Sequence, residues 1–133
     1  MEKKVVLMLE DDNDDRYITR LTLSELGFDF QILFFSKSDE LYQYLGSNEP
    51  PALILVEYNS VPENGVEVLK KIKSDERLNS IPVVVLSDND FEKYRKEAYS
   101  FGASSYIRKP ADMEATKQKI HSFFKYWLEV AEV

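Results

Sequence analysis

The chain has 133 residues, no cysteine and a formal charge of −7, from 24 acidic and 17 basic side chains. This length suits one domain with a real core, and the lack of cysteine excludes disulfides, thiolate catalysis and zinc–thiolate sites. The acidic charge argues against a nucleic-acid surface, which depends on lysine and arginine clusters. Without a signal peptide or an apolar run near the roughly 18 residues of a membrane span, we expect one cytoplasmic domain over residues 1–133.

Short apolar runs alternate along the chain with amphipathic stretches of helical spacing. Continuous apolar runs are typical of strands covered on both faces, and they predict five strands at Val5–Leu9, Ile32–Phe35, Leu53–Val56, Val83–Leu86 and Ser105–Ile107. The helical patterns predict five helices, over about 17–26, 39–45, 66–72, 90–101 and 113–128.

Three glycines stand just past helical patterns: Gly27, Gly46 and Gly102. We interpret them as helix caps, because glycine adopts the left-handed conformation at least cost. Strands that alternate with helices predict right-handed crossovers and a doubly wound α/β fold, a parallel sheet with helices on both faces. In such folds, ligands bind beyond the carboxyl ends of the strands.

The first predicted strand is followed by five carboxylates in six positions, from Glu10 to Asp15. A divalent cation is one way to hold such side chains together, and Mg²⁺ prefers hard oxygen ligands. For Glu10 and Asp11, at the end of the strand, we favour a metal site. For Asp14 and Asp15 we favour the first turn of a helix, where the helix dipole stabilises acids without a metal.

The other strand ends also carry polar side chains. Glu57 closes the third strand, and a carboxylate there should face the cleft, because burial alone would be costly. Ser87 ends the fourth strand. Lys109 follows the fifth and precedes Pro110, which holds it extended; its ammonium would be a counter-charge for carboxylates or a phosphoryl group. Each feature is weak singly, but together they converge on one edge of the sheet.

With these residues the chain resembles the receiver domain of bacterial response regulators. The matching segments are Val6–Asp12 with the acidic pair, Leu53–Glu57 with Pro62 and Gly65, Pro82–Ser87, and Gly102–Pro110. The resemblance implies a flavodoxin-like (βα)5 fold with strand order 2-1-3-4-5, in a free-standing receiver of a two-component system. It also implies Mg²⁺-assisted transfer of a phosphoryl group from a kinase phosphohistidine to an aspartate, followed by slow hydrolysis.

The same resemblance implies a role for each site residue. Asp11 would bind Mg²⁺ directly, Glu10 would bind it directly or through water, the Asn59 carbonyl would add an oxygen, and Glu57 would complete the set. Lys109 would pair with the phosphoryl group and Ser87 would donate a hydrogen bond to it, while Tyr106 rotates to follow. The output would be a change on the face of helix 4, strand 5 and helix 5, which would contact a sensor histidine kinase or another signalling protein.

The sequence departs from this pattern at the phosphoacceptor, which is Glu57 rather than aspartate. One more methylene moves the carboxylate by roughly 1.5 Å, and in-line transfer tolerates such displacements poorly. We therefore expect inefficient phosphorylation, a carboxylate that mimics the phosphorylated state, and Mg²⁺ binding that is weakened or optional. Asp88 stands where receivers usually carry a small residue, and it would restrict access to the site.

Three interpretations follow. We favour a receiver that signals by protein contacts without ordinary phosphorylation, and that is no enzyme beyond its own phosphorylation and dephosphorylation. The second is a working phosphoacceptor, on Glu57 or on a neighbour such as Asp11 or Asp12. The third is an unrelated Mg²⁺-dependent α/β enzyme, against which stand the lack of a glycine-rich phosphate loop and the position of the single histidine, His121, in the last helix.

The last helical pattern is rich in aromatic residues. Phe123, Phe124 and Trp127 or Leu128 have the spacing to close the core, which is the interpretation we favour. The alternative is that Tyr126 and Trp127 form a homodimer or partner surface, since aromatic residues are enriched at interfaces.

Overall fold

The computed structural model describes residues 4–27, 30–88, 92–109 and 113–127. Its strands are β1 (Lys4–Leu9), β2 (Phe30–Phe35), β3 (Leu53–Glu57), β4 (Val83–Ser87) and β5 (Ser105–Arg108), and its helices are α1 (Asn13–Leu26), α2 (Ser38–Ser47), α3 (Gly65–Lys73), α4 (Glu92–Ser100) and α5 (Met113–Lys125). The five strands form one parallel sheet in the order β2-β1-β3-β4-β5. This confirms the predicted flavodoxin-like fold. Within the described ranges, no helix is both long and apolar enough to cross a bilayer.

Two apolar clusters cover the two faces of the sheet. Alternate residues of β3 point to opposite sides: Ile54 joins the cluster under α2, α3 and α4, and Leu55 joins the one under α1 and α5. Both side chains are at most 2% exposed. Burial on both faces is the physical reason that the strands read as continuous apolar runs.

The predicted glycine caps are confirmed at two positions and wrong at the third. Gly27 and Gly102 have φ values of 68° and 100°, in the left-handed region. Gly46 lies inside α2, which continues to Ser47. The end of α2 is capped instead from a distance, because the Arg77 guanidinium donates hydrogen bonds to the carbonyls of Leu45 and Asn48.

The aromatic residues of the last helix mostly close the core. Phe124 is 2% exposed and stacks on Phe30, and Phe123 and Trp127 pack partly buried against the same cluster. Tyr126 is half exposed. Leu128 and the predicted start of α4 near residue 90 lie outside the described residues.

Gly65, at the start of α3, approaches the backbone of the β3–α3 loop closely. A Cβ at this position would lie 2.9 Å from the Glu57 carbonyl oxygen. We therefore expect Gly65→Ala to lower the free energy of unfolding by about 1–3 kcal/mol, as overpacking does, measured by urea denaturation. Gly46→Ala is the matched control: a Cβ there meets nothing within 4 Å, and alanine should stabilise the helix by about 0.5–1 kcal/mol. Equal effects of the two substitutions would contradict the tight contact at Gly65.

Candidate functional site

The parallel sheet brings the predicted site residues to one edge. Glu10 follows β1, Glu57 ends β3, Ser87 ends β4 and Lys109 follows β5. The pairing of β4 with β5 continues one residue beyond β5, because the Lys109 amide donates a hydrogen bond of 2.8 Å to the Ser87 carbonyl. The backbone alone therefore places these residues side by side.

The Lys109 ammonium is the centre of this edge. Its Nζ donates hydrogen bonds of 2.8 Å to Glu10 Oε2 and to Asp15 Oδ2, and it lies 2.5 Å from Glu57 Oε2. Glu57 Oε2 is fully buried and receives no hydrogen bond of normal geometry from the described residues, so its link to Lys109 is a close charge contact. The side chains of Glu10 and Glu57 are 2% and 8% exposed, and that of Lys109 is 17% exposed. One ammonium thus contacts three carboxyl groups in a largely buried pocket.

The start of α1 holds the acidic side of the pocket in place. The Asp12 carboxylate caps the helix by accepting hydrogen bonds from the Asp14 and Asp15 amides. The Asp12 amide in turn donates to Glu10 Oε1 at 3.1 Å. Arg16 donates to the Glu10 carbonyl and to the Ser36 hydroxyl, which ties the end of β1 to the loop after β2.

The interpretation of Asp15 as a helix-dipole residue only is incomplete. Asp15 does lie in the first turn of α1, but its carboxylate also binds Lys109 across the pocket. The residue lies 94 positions from Lys109 in the chain, and the dipole explains an acid at this place without any partner. No local pattern in the sequence signals a partner at that distance.

The electrostatics of the pocket are dominated by burial and by the shared ammonium. Burial raises the pKa of the Glu57 carboxyl; contact with Lys109 opposes this rise and the charge of Glu10 adds to it. Burial alone would lower the pKa of Lys109, but the carboxylates of Asp15, Glu10 and Glu57 together outweigh that effect and raise it. Lys109 is therefore charged at neutral pH, and Glu57 holds a proton more readily than an exposed glutamate.

The remaining predicted residues lie at the ends of the same strands or just beyond them. Ser87 is fully buried at the end of β4, whereas Asp11, Asn59 and Asp88 are exposed. Tyr106 is partly buried in β5, and its amide donates to the Tyr99 hydroxyl of α4.

The pocket has the chemistry of a cation site but not the arrangement of a divalent one. Glu10 and Glu57 offer the hard oxygens that Mg²⁺ prefers, but their Oε2 atoms converge on the Lys109 ammonium. Within the described ranges, no three acidic, histidine or cysteine side chains are grouped to hold a metal ion. As arranged around Lys109, the Glu10 and Glu57 side chains do not fit Mg²⁺. These contacts do not test the full predicted set of Glu10, Asp11, Glu57 and Asn59, which stays a prediction.

An aromatic pair connects the pocket to α4. Tyr58 follows Glu57 directly, and its ring stacks on that of Tyr94 with centroids 4.4 Å apart and an interplanar angle of 26°. The Tyr58 amide also donates to the Leu86 carbonyl at the end of β4. The loop after Glu57 is thus joined to β4 and to α4, which the sequence patterns did not indicate.

Most of the chain matches a known protein family. The model of the response regulator receiver domain matches residues 6–121. The chain belongs to the response regulator receiver family. Receivers are modules of two-component signalling rather than classical enzymes, so the interpretation as an unrelated α/β enzyme is set aside.

Individual receivers are similar over nearly their whole length. A probable methanogenesis regulatory protein, FilR2 of Methanothrix harundinacea, is 31% identical over 129 residues, which cover 93% of this chain and 83% of that protein. The chemotaxis protein CheY1 of Helicobacter pylori strain ATCC 700392 is 27% identical, with 86% and 92% covered. The phosphorylated cyanobacterial phytochrome response regulator RcpA superposes with a TM-score of 0.92 at 28% identity, covering 98% of both chains. The Mn²⁺-bound form of the response regulator Rcp1 superposes with a TM-score of 0.90 at 26% identity and the same coverage.

Proposed function

We propose that this receiver signals through protein contacts without ordinary phosphorylation, with Glu57 in the place of the phosphoacceptor aspartate. The observation that carries the proposal is the contact of 2.5 Å between Glu57 Oε2 and the Lys109 ammonium. In the receiver pattern that ammonium pairs with the phosphoryl group. The longer glutamate side chain therefore already places an oxygen against the ammonium, in the contact that a phosphoryl oxygen would make.

Two features oppose phosphoryl transfer at this position. A nucleophile displaced by one methylene, roughly 1.5 Å, loses in-line alignment, and displacements of that size can cost about 10²-fold in rate. Asp88, exposed just beyond β4, adds negative charge near the entrance and would repel a phosphoryl dianion. In this proposal Ser87 and Tyr106 keep their positions at the switch, and Asp88 limits access.

The output runs through the α4–β5–α5 face to a sensor histidine kinase or another signalling protein. Tyr58 connects the loop after Glu57 to Tyr94 of α4, and Tyr106 connects β5 to Tyr99, which is 48% exposed on α4. Aromatic side chains of this kind are favoured at interface centres. A homodimer and a cytoplasmic location stay predictions.

Mg²⁺ is optional for this function. Lys109 already neutralises part of the negative charge that Mg²⁺ would neutralise in the pocket, because its ammonium contacts three carboxyl groups. Signalling by a fixed glutamate needs no transfer step, so no step of the proposal requires the metal.

The proposal is tested with a small phosphodonor. The protein is incubated with acetyl phosphate and Mg²⁺, and its intact mass is measured over time. We expect no stoichiometric phosphoprotein from the wild type, and a gain of one phosphoryl group in Glu57→Asp at a rate at least about 10²-fold higher, because the shorter side chain restores the alignment.

Lys96→Met, which removes an exposed lysine of α4, is the control and should behave like the wild type. A wild-type chain that gains one phosphoryl group would disprove the proposal in favour of a working phosphoacceptor. Peptide mapping would then distinguish Glu57 from Asp11 and Asp12.

A further inference from the structure

We infer that the Lys109 ammonium is the resident cation of the acidic pocket, and that a pocket containing Glu57 binds a divalent cation only when the lysine side chain is removed. The inference goes beyond the proposed function and does not depend on it, because a receiver that is never phosphorylated could still bind a metal. It assigns to Asp15 the role of a positioning residue that keeps the ammonium in the cation position.

The Lys109 Nζ atom occupies the centre of three carboxylates. Three carboxylate oxygens, from the end of β1, the first turn of α1 and the end of β3, lie 2.8, 2.8 and 2.5 Å from this one atom. Mg²⁺ binds oxygen at about 2.0–2.1 Å, so an ion on Glu57 Oε2 would lie no more than about 4.6 Å from Nζ. A dication at that distance would be strongly repelled by the ammonium in this largely buried setting.

Lys109 is held at both its backbone and its ammonium. Its amide is fixed to the Ser87 carbonyl, and its ammonium is fixed by hydrogen bonds to Glu10 and Asp15. Asp15 is itself fixed by the Asp12 cap at the start of α1. The side chain is therefore not free to swing away and leave the pocket to an incoming ion.

The carboxylate oxygens that a metal would need as ligands already face other groups. Glu10 Oε1 accepts the Asp12 amide and Glu10 Oε2 accepts the ammonium, so both oxygens already have partners. Glu57 Oε2 is buried without a directed hydrogen bond, and the ammonium is the charge that it faces. Without Lys109, three carboxylates would share one pocket with no positive partner among those contacts, which is the donor set that hard cations bind.

The test is direct measurement of Mn²⁺ binding, with free Mn²⁺ followed by electron paramagnetic resonance. Lys109→Met keeps most of the length and apolar stem of the side chain and removes its charge. We expect this variant to bind one Mn²⁺ at least roughly tenfold more tightly than the wild type, a change of the size that metal-site neighbours produce. Lys96→Met, which removes an equal charge from an exposed pair with Glu92, should match the wild type.

Poor folding of Lys109→Met can be distinguished from a failure of the inference. Its fold is checked by circular dichroism, and if it is unfolded alone, excess Mn²⁺ is expected to restore the signal, because binding to the folded state stabilises it. A failure of Mn²⁺ to restore the fold, or equal Mn²⁺ affinities of folded Lys109→Met and wild type, would overturn the inference. Neither measurement involves a phosphodonor, so this inference can fail while the proposed function stands, and the reverse.

Discussion

Replacing Lys109 with methionine is expected to lower the free energy of unfolding by about 3–5 kcal/mol, measured by urea denaturation at neutral pH in the absence of metal. This is the usual cost when one partner of a buried ion pair is removed and the other charge stays behind. Here the cost falls mainly on Glu10, whose side chain is 2% exposed and contacts the same ammonium as Glu57.

The control for this prediction is Lys96→Met. Lys96 pairs with Glu92 along α4, and both side chains are more than half exposed. An exposed pair of this kind contributes about 0.3–0.5 kcal/mol. A loss for Lys109→Met as small as that of the control would show that the pocket carboxylates are neutralised in some other way.

The stability of the protein should fall with rising pH because of Glu57, and Glu57→Gln should remove that part of the dependence. Burial, opposed by Lys109, raises the pKa of Glu57 from its ordinary value of 4.5 to about 8. Between pH 4.5 and about pH 8 the folded state keeps a proton on Glu57 that the unfolded state has lost. The stabilisation that this proton gives to the folded state is complete below pH 4.5 and is lost as the pH rises through about 8. One such proton changes the free energy of unfolding by at most about 1.4 kcal/mol per pH unit.

The measurement compares urea denaturation of the wild type and Glu57→Gln between pH 5 and pH 8.5. The difference between the two proteins should shift in favour of the variant as the pH rises. Glu92→Gln, which replaces an exposed carboxylate at the start of α4, should run parallel to the wild type. Parallel curves for the wild type and Glu57→Gln would mean that Lys109 keeps Glu57 ionised throughout this range.

The fold was accessible from sequence because its determinants are local. Continuous apolar runs identified four strands, and the weaker pattern Ser105–Ile107 identified the fifth. Glycines just past helical patterns, at Gly27 and Gly102, identified two helix ends. The strand order came from the family resemblance and not from the patterns themselves. Gly46 was misinterpreted because the true cap of α2 is Arg77, about 30 residues away in the chain, and no local pattern indicates a guanidinium at that distance.

The sequence predicts part of the candidate site, namely the part that the strand ends determine. Parallel strands bring their carboxyl ends together, so Glu10, Glu57 and Lys109 could be predicted to meet. The contact of Asp15 with Lys109 and the stacking of Tyr58 on Tyr94 depend on how helices pack against the sheet. Such contacts between distant residues are set by side-chain packing in three dimensions, which no residue spacing encodes.

The stacking of Tyr58 on Tyr94 joins the loop after Glu57 to α4 by direct contact. Energetic coupling through such a contact acts in both directions, from the pocket to α4 and from α4 to the pocket. A phosphorylated receiver receives its input at the pocket and reads it out on the surface, whereas a permanent carboxylate supplies no change at the pocket. Coupling free energies are reciprocal: if the state of the pocket changes the affinity of α4 for a partner, then binding of that partner changes the equilibrium at the pocket by the same free energy. In this receiver the surface that usually reports the signal would then be the place where the signal enters.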